Sequence, residues 1–347
     1  MGLPKESGFD LYPVYPTGQN NLITDVPGVL VGHVTHHDGD INTGVTAVLP
    51  RKEEWFRDKV IAGSSVINGF GKSVGLVQVD ELGTIEAPIL MTNTLSIGTC
   101  LTGMVKYMLA KNPAICKNTT SINCVVTECN DAAINDARGL HVTEEDVYKA
   151  VDTASVIFEE GAVGGGAGMT CMGFKGGIGS ASRVIELGGK NFTVGGLVMT
   201  NFGGPGTFVI GGRHVGLEIL NRRPKPVPDI GSIILITATD LPLSARQTKR
   251  LSNRAAAALG RVGSTMGTQS GDISIAFSTA NLVEQYPEGP FTSINYIHDY
   301  YLDGVFTAAV EALEESIVSA LWHAETTSGN GQTFRGFREA WEELQNR

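Results

Sequence analysis

The sequence predicts an α/β protein in which helices cover buried sheets. Three observations indicate this class. Short apolar runs, mostly rich in β-branched residues, recur along the chain; helical patterns separate them; and many of the 44 glycines stand at the ends of those runs. Because a buried sheet needs cover on its faces, this alternation predicts a layered α/β domain.

Strands are predicted where an apolar run is short and is bounded by Gly, Pro, Asn or a polar turn. Such runs occupy residues 29–31, 45–49, 124–126, 196–199 and 233–238. We expect them to form the strands of buried sheets.

Helices are predicted between these runs, over residues 98–111, 143–158, 244–259 and 306–324. The third is preceded by Asp240, Pro242 and Ser244, which are typical turn and cap residues. The last has apolar residues at positions 310, 313, 317 and 321, the spacing of one helix face.

We expect a single domain over residues 1–347, because no repeat or low-complexity segment interrupts the pattern. The main shift in composition is the segment at residues 221–231, which has three prolines in eleven residues. Proline favours an extended, exposed chain, so this segment is predicted to be a surface connector.

Composition and charge exclude several classes of protein. The chain is 42% hydrophobic and 18% charged, which indicates a folded core, and its net charge of -10 argues against nucleic acid as a partner. No run approaches the ~18 apolar residues of a membrane span. The five cysteines form no C-x-x-C pair, so we expect a reduced, cytoplasmic setting and no disulfide framework.

Three motifs suggest chemistry that their context does not favour. GKSVG (residues 71–75) matches the letters of a nucleophile elbow, but the LVQVDELG that follows alternates like a strand where the motif needs a helix. GAVGGGAG (161–168) follows a helical pattern instead of a strand, which favours a close turn over a dinucleotide loop. HVTHHD (33–38) is interpreted as a solvated turn. We expect neither metal nor cofactor.

Four polar clusters stand where apolar runs end. They contain Glu128, Asn201, Ser232 and the pair Ser270 and Asp272. Each residue alone is explained by a turn, a cap or a surface carboxylate. Their recurrence at strand ends is what suggests a common site.

Taken together, these clusters resemble the L-aminopeptidase/D-amino acid esterase-amidase (DmpA-type) family, which includes the β-peptidyl aminopeptidases. The resemblance also covers NLITDVPGVLVGHVT (21–35), NTGVTAVLP (42–50) and residues 68–98, and it ends near residue 281. It implies a four-layer αββα sandwich of the DmpA/ornithine acetyltransferase type. It also implies a precursor that cuts itself before a Ser or Thr, here between Gly231 and Ser232, into chains 1–231 and 232–347.

The implied reaction explains why serine is needed at position 232. A serine hydroxyl is a weak nucleophile and needs a base within hydrogen-bond reach. Once Ser232 is a chain terminus, its own α-amine can be that base, since such an amine has a pKa of about 7.7–8.0. Gly231 tolerates the distorted backbone that attack on its carbonyl requires.

The resemblance also assigns the remaining site residues. It implies that Ser270 and Asp272 orient the Ser232 hydroxyl and amine, that Asn201 helps to bind the oxyanion, and that Glu128 binds the free amine of the substrate. The chain departs from the family at Asp272, where β-peptide-cleaving members have Glu. It also departs at Asn130, a substrate-pocket position that is often aromatic.

The expected function is therefore a self-processing N-terminal serine aminopeptidase or amidase that acts on short peptides, amino acid amides or esters. The same acyl-enzyme would serve an amidase for ω-amino acid oligomers or an aminoacyl transferase. A non-catalytic binding protein with this fold is a further alternative. The resemblance implies a homo-oligomer of processed pairs.

Overall fold

The computed structural model describes residues 2–222 and 230–346. Most of the predicted proline-rich connector lies outside these residues. The strands are β1 (Leu30–Asp38), β2 (Ile41–Leu49), β3 (Asp58–Gly69), β4 (Thr84–Ile85), β5 (Ile89–Asn93), β6 (Val125–Cys129), β7 (Thr170–Cys171), β8 (Phe174–Lys175), β9 (Ile178–Leu187), β10 (Lys190–Asn201), β11 (Ile230–Thr239), β12 (Gln269–Glu284), β13 (Thr327–Gly329) and β14 (Gln332–Phe334).

The α-helices are α1 (Leu76–Leu82), α2 (Ile97–Lys111), α3 (Glu144–Asp152), α4 (Val215–Leu220), α5 (Ala245–Ser252), α6 (Ala255–Arg261), α7 (Leu302–His323) and α8 (Phe337–Gln345). Two large sheets organise the chain. One has the strand order β1-β2-β5-β6, and the other has the order β4-β3-β12-β11-β10-β9. The pairs β7–β8 and β13–β14 form two small ribbons.

The two sheets pack face to face and each is covered by helices. Side chains such as Met91 and Val125 of the first sheet share a core with Ile234 and Ile236 of the second. Because successive residues of a strand face opposite ways, the neighbouring Ile233 lies on the outer face of the second sheet. There it packs with residues of α6, α7 and α8. Helices α2 and α3 cover the outer face of the first sheet. The predicted α/β class and four-layer αββα sandwich are confirmed.

The helix predictions needed two adjustments. Thr143 caps α3 by accepting a hydrogen bond from the Asp146 amide, but the helix ends at Asp152, because Ser155 pairs with Val31 of β1. The helix predicted over residues 244–259 is two helices, α5 and α6, which are separated at residues 253–254. Its predicted cap is confirmed, since the Ser244 side chain accepts from the Gln247 amide.

The strand predicted for LVQVDELG is wrong, because this segment forms α1. Gly75 and Gly83 flank the helix with positive φ values of 88° and 68°, conformations that glycine adopts readily. Val79 is the only buried residue of this short helix. The alternating apolar residues of the segment are therefore not alternately buried, as they would be in a strand.

The solvated turn predicted for HVTHHD is also wrong, because these residues lie within β1. Strand alternation separates the imidazoles: His36 pairs with Asp146 at 3.0 Å, whereas His33 contacts Thr46 at 2.9 Å. Burial lowers the pKa of His33 to about 4. Among the described residues, no group of three or more His, Cys, Asp and Glu side chains is arranged to hold a metal ion.

The glycine-rich segment is a site of close backbone packing, as the sequence favours. A Cβ at Gly165 would lie 2.7 Å from the Met91 carbonyl oxygen, and one at Gly168 would lie 2.2 Å from that of Asn42. The fully buried Lys175 holds this segment in place through hydrogen bonds to backbone carbonyls. Its ammonium group donates to the carbonyls of Gly166, Met169 and Gly176 at 3.1, 2.7 and 2.8 Å.

Lys175 makes stability depend on pH. Burial lowers its pKa in the folded protein from 10.5 to about 7. Between these values the unfolded chain binds more protons, so the free energy of unfolding rises with pH, with a slope of up to about 1.4 kcal/mol per pH unit. We expect urea titrations between pH 7 and 9.5 to show a steeper rise for the wild type than for Lys175→Met. The exposed Lys190→Met is the control, and parallel curves for wild type and Lys175→Met would contradict the assignment.

Candidate active site

Ser232 lies near the start of β11, at an end of the six-stranded sheet. It is directly opposite Asn201 on the antiparallel neighbour β10. The residue is buried, and its hydroxyl donates to the carbonyl oxygen of Gly231, its own preceding residue, at 2.5 Å. The hydroxyl therefore already contacts the peptide group that the sequence predicts it to attack.

Two glycines allow this arrangement. A Cβ at Gly231 would lie 2.3 Å from the Asn201 carbonyl oxygen and 2.6 Å from the Phe202 Cα. A Cβ at Gly271, which is level with Ser232 on the parallel strand β12, would lie 2.6 Å from the Phe70 carbonyl oxygen and 3.1 Å from the Ser232 Oγ. Side chains at either position would require backbone atoms to move.

Ser270 and Asp272 flank Gly271 on β12. Both are buried, and the Ser270 hydroxyl donates to the Asp272 carboxylate at 2.6 Å. Because successive residues of a strand face opposite ways, Gly271 shares the face of Ser232, and the pair lies on the other face of the sheet. The Ser232 nitrogen lies in the sheet between these faces, so the pair is better placed for that nitrogen than for the hydroxyl.

Asn201 is held by two hydrogen bonds. Its amide oxygen accepts from the Thr170 backbone N–H at 3.0 Å, and its amide nitrogen donates to the Asn130 carbonyl at 3.0 Å. A primary amide has two N–H donors, and the Asn130 carbonyl takes one of them. The second N–H is left for a group in the adjoining cavity. The fixed orientation suits a group that donates to a negatively charged oxygen.

Glu128 belongs to the other sheet, near the end of β6. Its carboxylate is buried, and its Oε1 accepts from the Lys72 backbone N–H at 2.9 Å. The Lys72 ammonium lies 3.7 Å from the same oxygen. Asn130 follows two residues later with an exposed side chain whose oxygen accepts from the Ala132 N–H at 3.0 Å. Glu128 and Ser232 therefore come from different sheets.

A cavity of about 300 Å³ joins these groups. Ser232, Asn201, Glu128, Asn130 and Lys72 are among the residues that line it. Its volume is at the lower end of small-molecule sites, which fits a substrate of one or two residues. A larger cavity of about 620 Å³ lies beside His37 and His323, and none of the predicted site residues lines it.

Sequence reasoning missed Lys72, which stands inside the GKSVG motif. Its side chain is 55% exposed and donates to the Thr94 hydroxyl as well as pairing with Glu128. A nucleophile elbow gives the lysine position of this motif no role of its own. The available signal was a lone lysine after two glycines, in a segment that leads towards the site.

A family model described as peptidase family S58 matches residues 21–334. The chain belongs to peptidase family S58. It is 40% identical over 344 residues to the β-peptidyl aminopeptidase BapA of Sphingosinicella microcystinivorans, an alignment that covers 92% of this chain and 85% of the relative.

Solved structures agree with this family assignment. The L-aminopeptidase D-Ala-esterase/amidase of Ochrobactrum anthropi, described as a prototype of the serine aminopeptidases and a variant of the Ntn hydrolase fold, superposes with a TM-score of 0.90. It is 37% identical, with 99% of this chain and 97% of that chain covered. A protein of Pyrococcus horikoshii OT3 is 44% identical, with a TM-score of 0.93 and coverage of 99% and 98%.

The family resemblance predicted from the sequence is therefore confirmed, and so are the hydrolase class and the N-terminal nucleophile aminopeptidase function. Membership of S58 implies peptide or amide substrates. The five cysteines are free thiols. Across residues 2–222 and 230–346, no helix is long and apolar enough to cross a membrane.

The close packing at Gly271 gives a test of the candidate active site. In Gly271→Ala the new methyl group would press on the Phe70 carbonyl and the Ser232 hydroxyl, so the serine should shift. We expect hydrolysis of amino acid p-nitroanilides to fall by about 100-fold, while stability falls by only about 1–3 kcal/mol. Gly289→Ala is the control, because a Cβ there meets nothing within 4 Å. Unchanged activity in Gly271→Ala would contradict the described packing.

Proposed function

We propose that this S58 peptidase cuts its own chain between Gly231 and Ser232. It then acts as an N-terminal serine aminopeptidase or amidase on short peptides, amino acid amides or esters. The main support is the 2.5 Å contact between the Ser232 hydroxyl and the Gly231 carbonyl oxygen. The proposal gives a larger chain of residues 1–231 and a smaller chain of residues 232–347.

Self-cleavage proceeds as an acyl shift from nitrogen to oxygen. The Ser232 Oγ attacks the Gly231 carbonyl carbon, the carbon–nitrogen bond breaks, and the Ser232 nitrogen takes the proton that leaves the hydroxyl. An ester between Gly231 and the Ser232 Oγ results, and water hydrolyses it to a carboxylate and a free hydroxyl. Gly231 helps because no side chain obstructs the change in its backbone.

Turnover uses the new α-amine as the base. It accepts the Ser232 hydroxyl proton while the Oγ attacks the substrate carbonyl, and it returns a proton to the leaving amine. In this proposal Ser270 and Asp272, which flank the residue level with Ser232 on β12, orient the amine and stabilise its protonated form. Asn201 donates its second N–H to the oxyanion; loss of such a donor typically costs about 3–4 kcal/mol of barrier. Water then releases the acyl group.

Glu128 selects substrates with a free amino group. Its buried carboxylate has acceptor capacity beyond the single bond from Lys72, and an ammonium group at the cavity wall would satisfy it. The relatives include a β-peptidyl aminopeptidase and an L-aminopeptidase D-Ala-esterase/amidase. We therefore include β-residues among the candidate substrates, with Asn130 as a wall of the pocket.

The remaining expectations complete the proposal. An ω-amino acid oligomer amidase or an aminoacyl transferase would use the same acyl-enzyme and differ only in the substrate or in the acceptor that replaces water. We also propose a cytoplasmic location, supported by the free cysteines. Assembly into a homo-oligomer of processed pairs remains a family-based proposal.

The self-cleavage proposal predicts two fragments for the purified wild type. The smaller should begin Ser-Ile-Ile-Leu, because the cut leaves Ser232 as an N-terminus. Ser232→Ala should remain a single chain, since it has no attacking hydroxyl. Intact mass and N-terminal sequencing measure both. A wild type that stays uncut after long incubation would contradict the mechanism, and it would favour the non-catalytic alternative if it also fails to hydrolyse any substrate.

The assignment of Glu128 predicts a loss of amine recognition. We compare the best of the L-alanyl, D-alanyl and β-homoalanyl p-nitroanilides with its analogue lacking the amino group. In Glu128→Gln the KM for the amine substrate should rise about 10- to 100-fold, as expected when a charged hydrogen bond is lost, and the preference for the amine should shrink. The exposed Glu81→Gln serves as control. The assignment fails if Glu128→Gln is cut normally yet keeps the wild-type preference.

A further inference from the structure

Lys72 brings a positive charge to the wall that holds the amine site. Its backbone N–H and its ammonium both approach the same oxygen of Glu128, at 2.9 and 3.7 Å. The adjacent Gly71 leaves little room, because a Cβ there would lie 3.2 Å from that oxygen. The lysine is therefore fixed at its backbone, while its 55% exposed side chain reaches into the cavity.

This arrangement is unfavourable for a substrate whose only charge is its amine. An ammonium group bound to Glu128 would stand within a few ångströms of the Lys72 ammonium, and like charges repel at that range. Lys72 is the only basic side chain among the described residues that line the cavity. A substrate with its own carboxylate beside the amine would turn the repulsion into attraction, because the four charges would then alternate in sign.

We propose that Lys72 selects substrates whose N-terminal residue has a carboxylate on the carbon that bears the free amine. This inference rests on the proposed function, in which Glu128 binds that amine and Ser232 attacks the carbonyl. The β-aspartyl group meets the requirement: its amine binds Glu128, its α-carboxylate binds the Lys72 ammonium, and its β-carbonyl is left for the Ser232 Oγ. Hydrolysis of a β-aspartyl amide by water gives aspartate and the free amine.

Two substrates isolate this contact. β-Aspartyl p-nitroanilide and β-homoalanyl p-nitroanilide share one backbone, and a carboxylate in the first replaces a methyl group in the second. We expect the wild type to prefer the β-aspartyl substrate at least about tenfold in kcat/KM. Lys72→Met should reduce that preference at least about tenfold, mainly through KM, because the ion pair exists before and during the reaction.

Three variants separate charge from structure. Lys72→Met keeps the backbone N–H that donates to Glu128. Lys72→Arg keeps the positive charge and should retain the preference for the β-aspartyl substrate. Lys190→Met removes an exposed lysine outside the cavity and is the control. Equal effects of Lys72→Met on both substrates would mean that Lys72 only balances the charge of Glu128, and the inference would be wrong. A wild type that prefers the β-homoalanyl substrate would overturn it as well.

A binding measurement distinguishes this inference from the proposed function. We titrate L-aspartate and 3-aminobutyrate, the two acids that hydrolysis would release, into wild type and Lys72→Met by calorimetry. If the wild type binds aspartate more tightly than 3-aminobutyrate and Lys72→Met does not, the inference is supported. This holds even if neither anilide is hydrolysed, a result that would contradict the proposed function alone. Hydrolysis of the β-homoalanyl anilide without any Lys72-dependent binding of aspartate leaves the function intact and overturns the inference.

Discussion

The contact between the Ser232 hydroxyl and the Gly231 carbonyl is the constraint on which the rest of the site depends. It requires β11 to lie against β10 so closely that the Gly231 Cα faces the Asn201 carbonyl. It also requires an empty position at Gly271 on β12, the parallel neighbour. Apolar residues buried on both faces of the sheet anchor β10 and β11, so packing in the layers holds the Ser232 hydroxyl against its own peptide bond.

The four-stranded sheet supplies a group that the six-stranded sheet lacks. Ser232 and Asn201 come from one sheet and Glu128 from the other, and the Cys129 thiol contacts the Met199 carbonyl where β6 crosses β10. Two sheets that pack face to face lie about 10 Å apart. A substrate between their ends therefore meets a nucleophile on one side and an anion on the other. This separation favours a small substrate with a free amine, as the cavity volume does.

Much of the layered fold could be predicted from the sequence, because buried strands and amphipathic helices leave local patterns. The site residues Ser232, Asn201, Ser270 and Asp272 could be named only through family resemblance, since their approach depends on strand register. Lys72 gave only a weak local signal, a lysine after Gly69 and Gly71, because its approach to Glu128 depends on the segment after β3, which pairs with β6 through Val74 and Val126. The strand predicted for LVQVDELG is wrong because its alternating apolar letters do not correspond to alternating burial, and the segment is a short helix flanked by two glycines with positive φ.

In the proposed mechanism the base is created by the fold. Before cleavage the Ser232 nitrogen is an amide within β11, and an amide cannot accept a proton at neutral pH. The nitrogen becomes an amine only after the hydroxyl and the Gly231 carbonyl have been held together, which requires β10, β11 and β12 to be in register. An unfolded or misregistered chain thus has a serine but no base. Hydrolytic activity is thereby limited to chains that have already reached the native arrangement of the site.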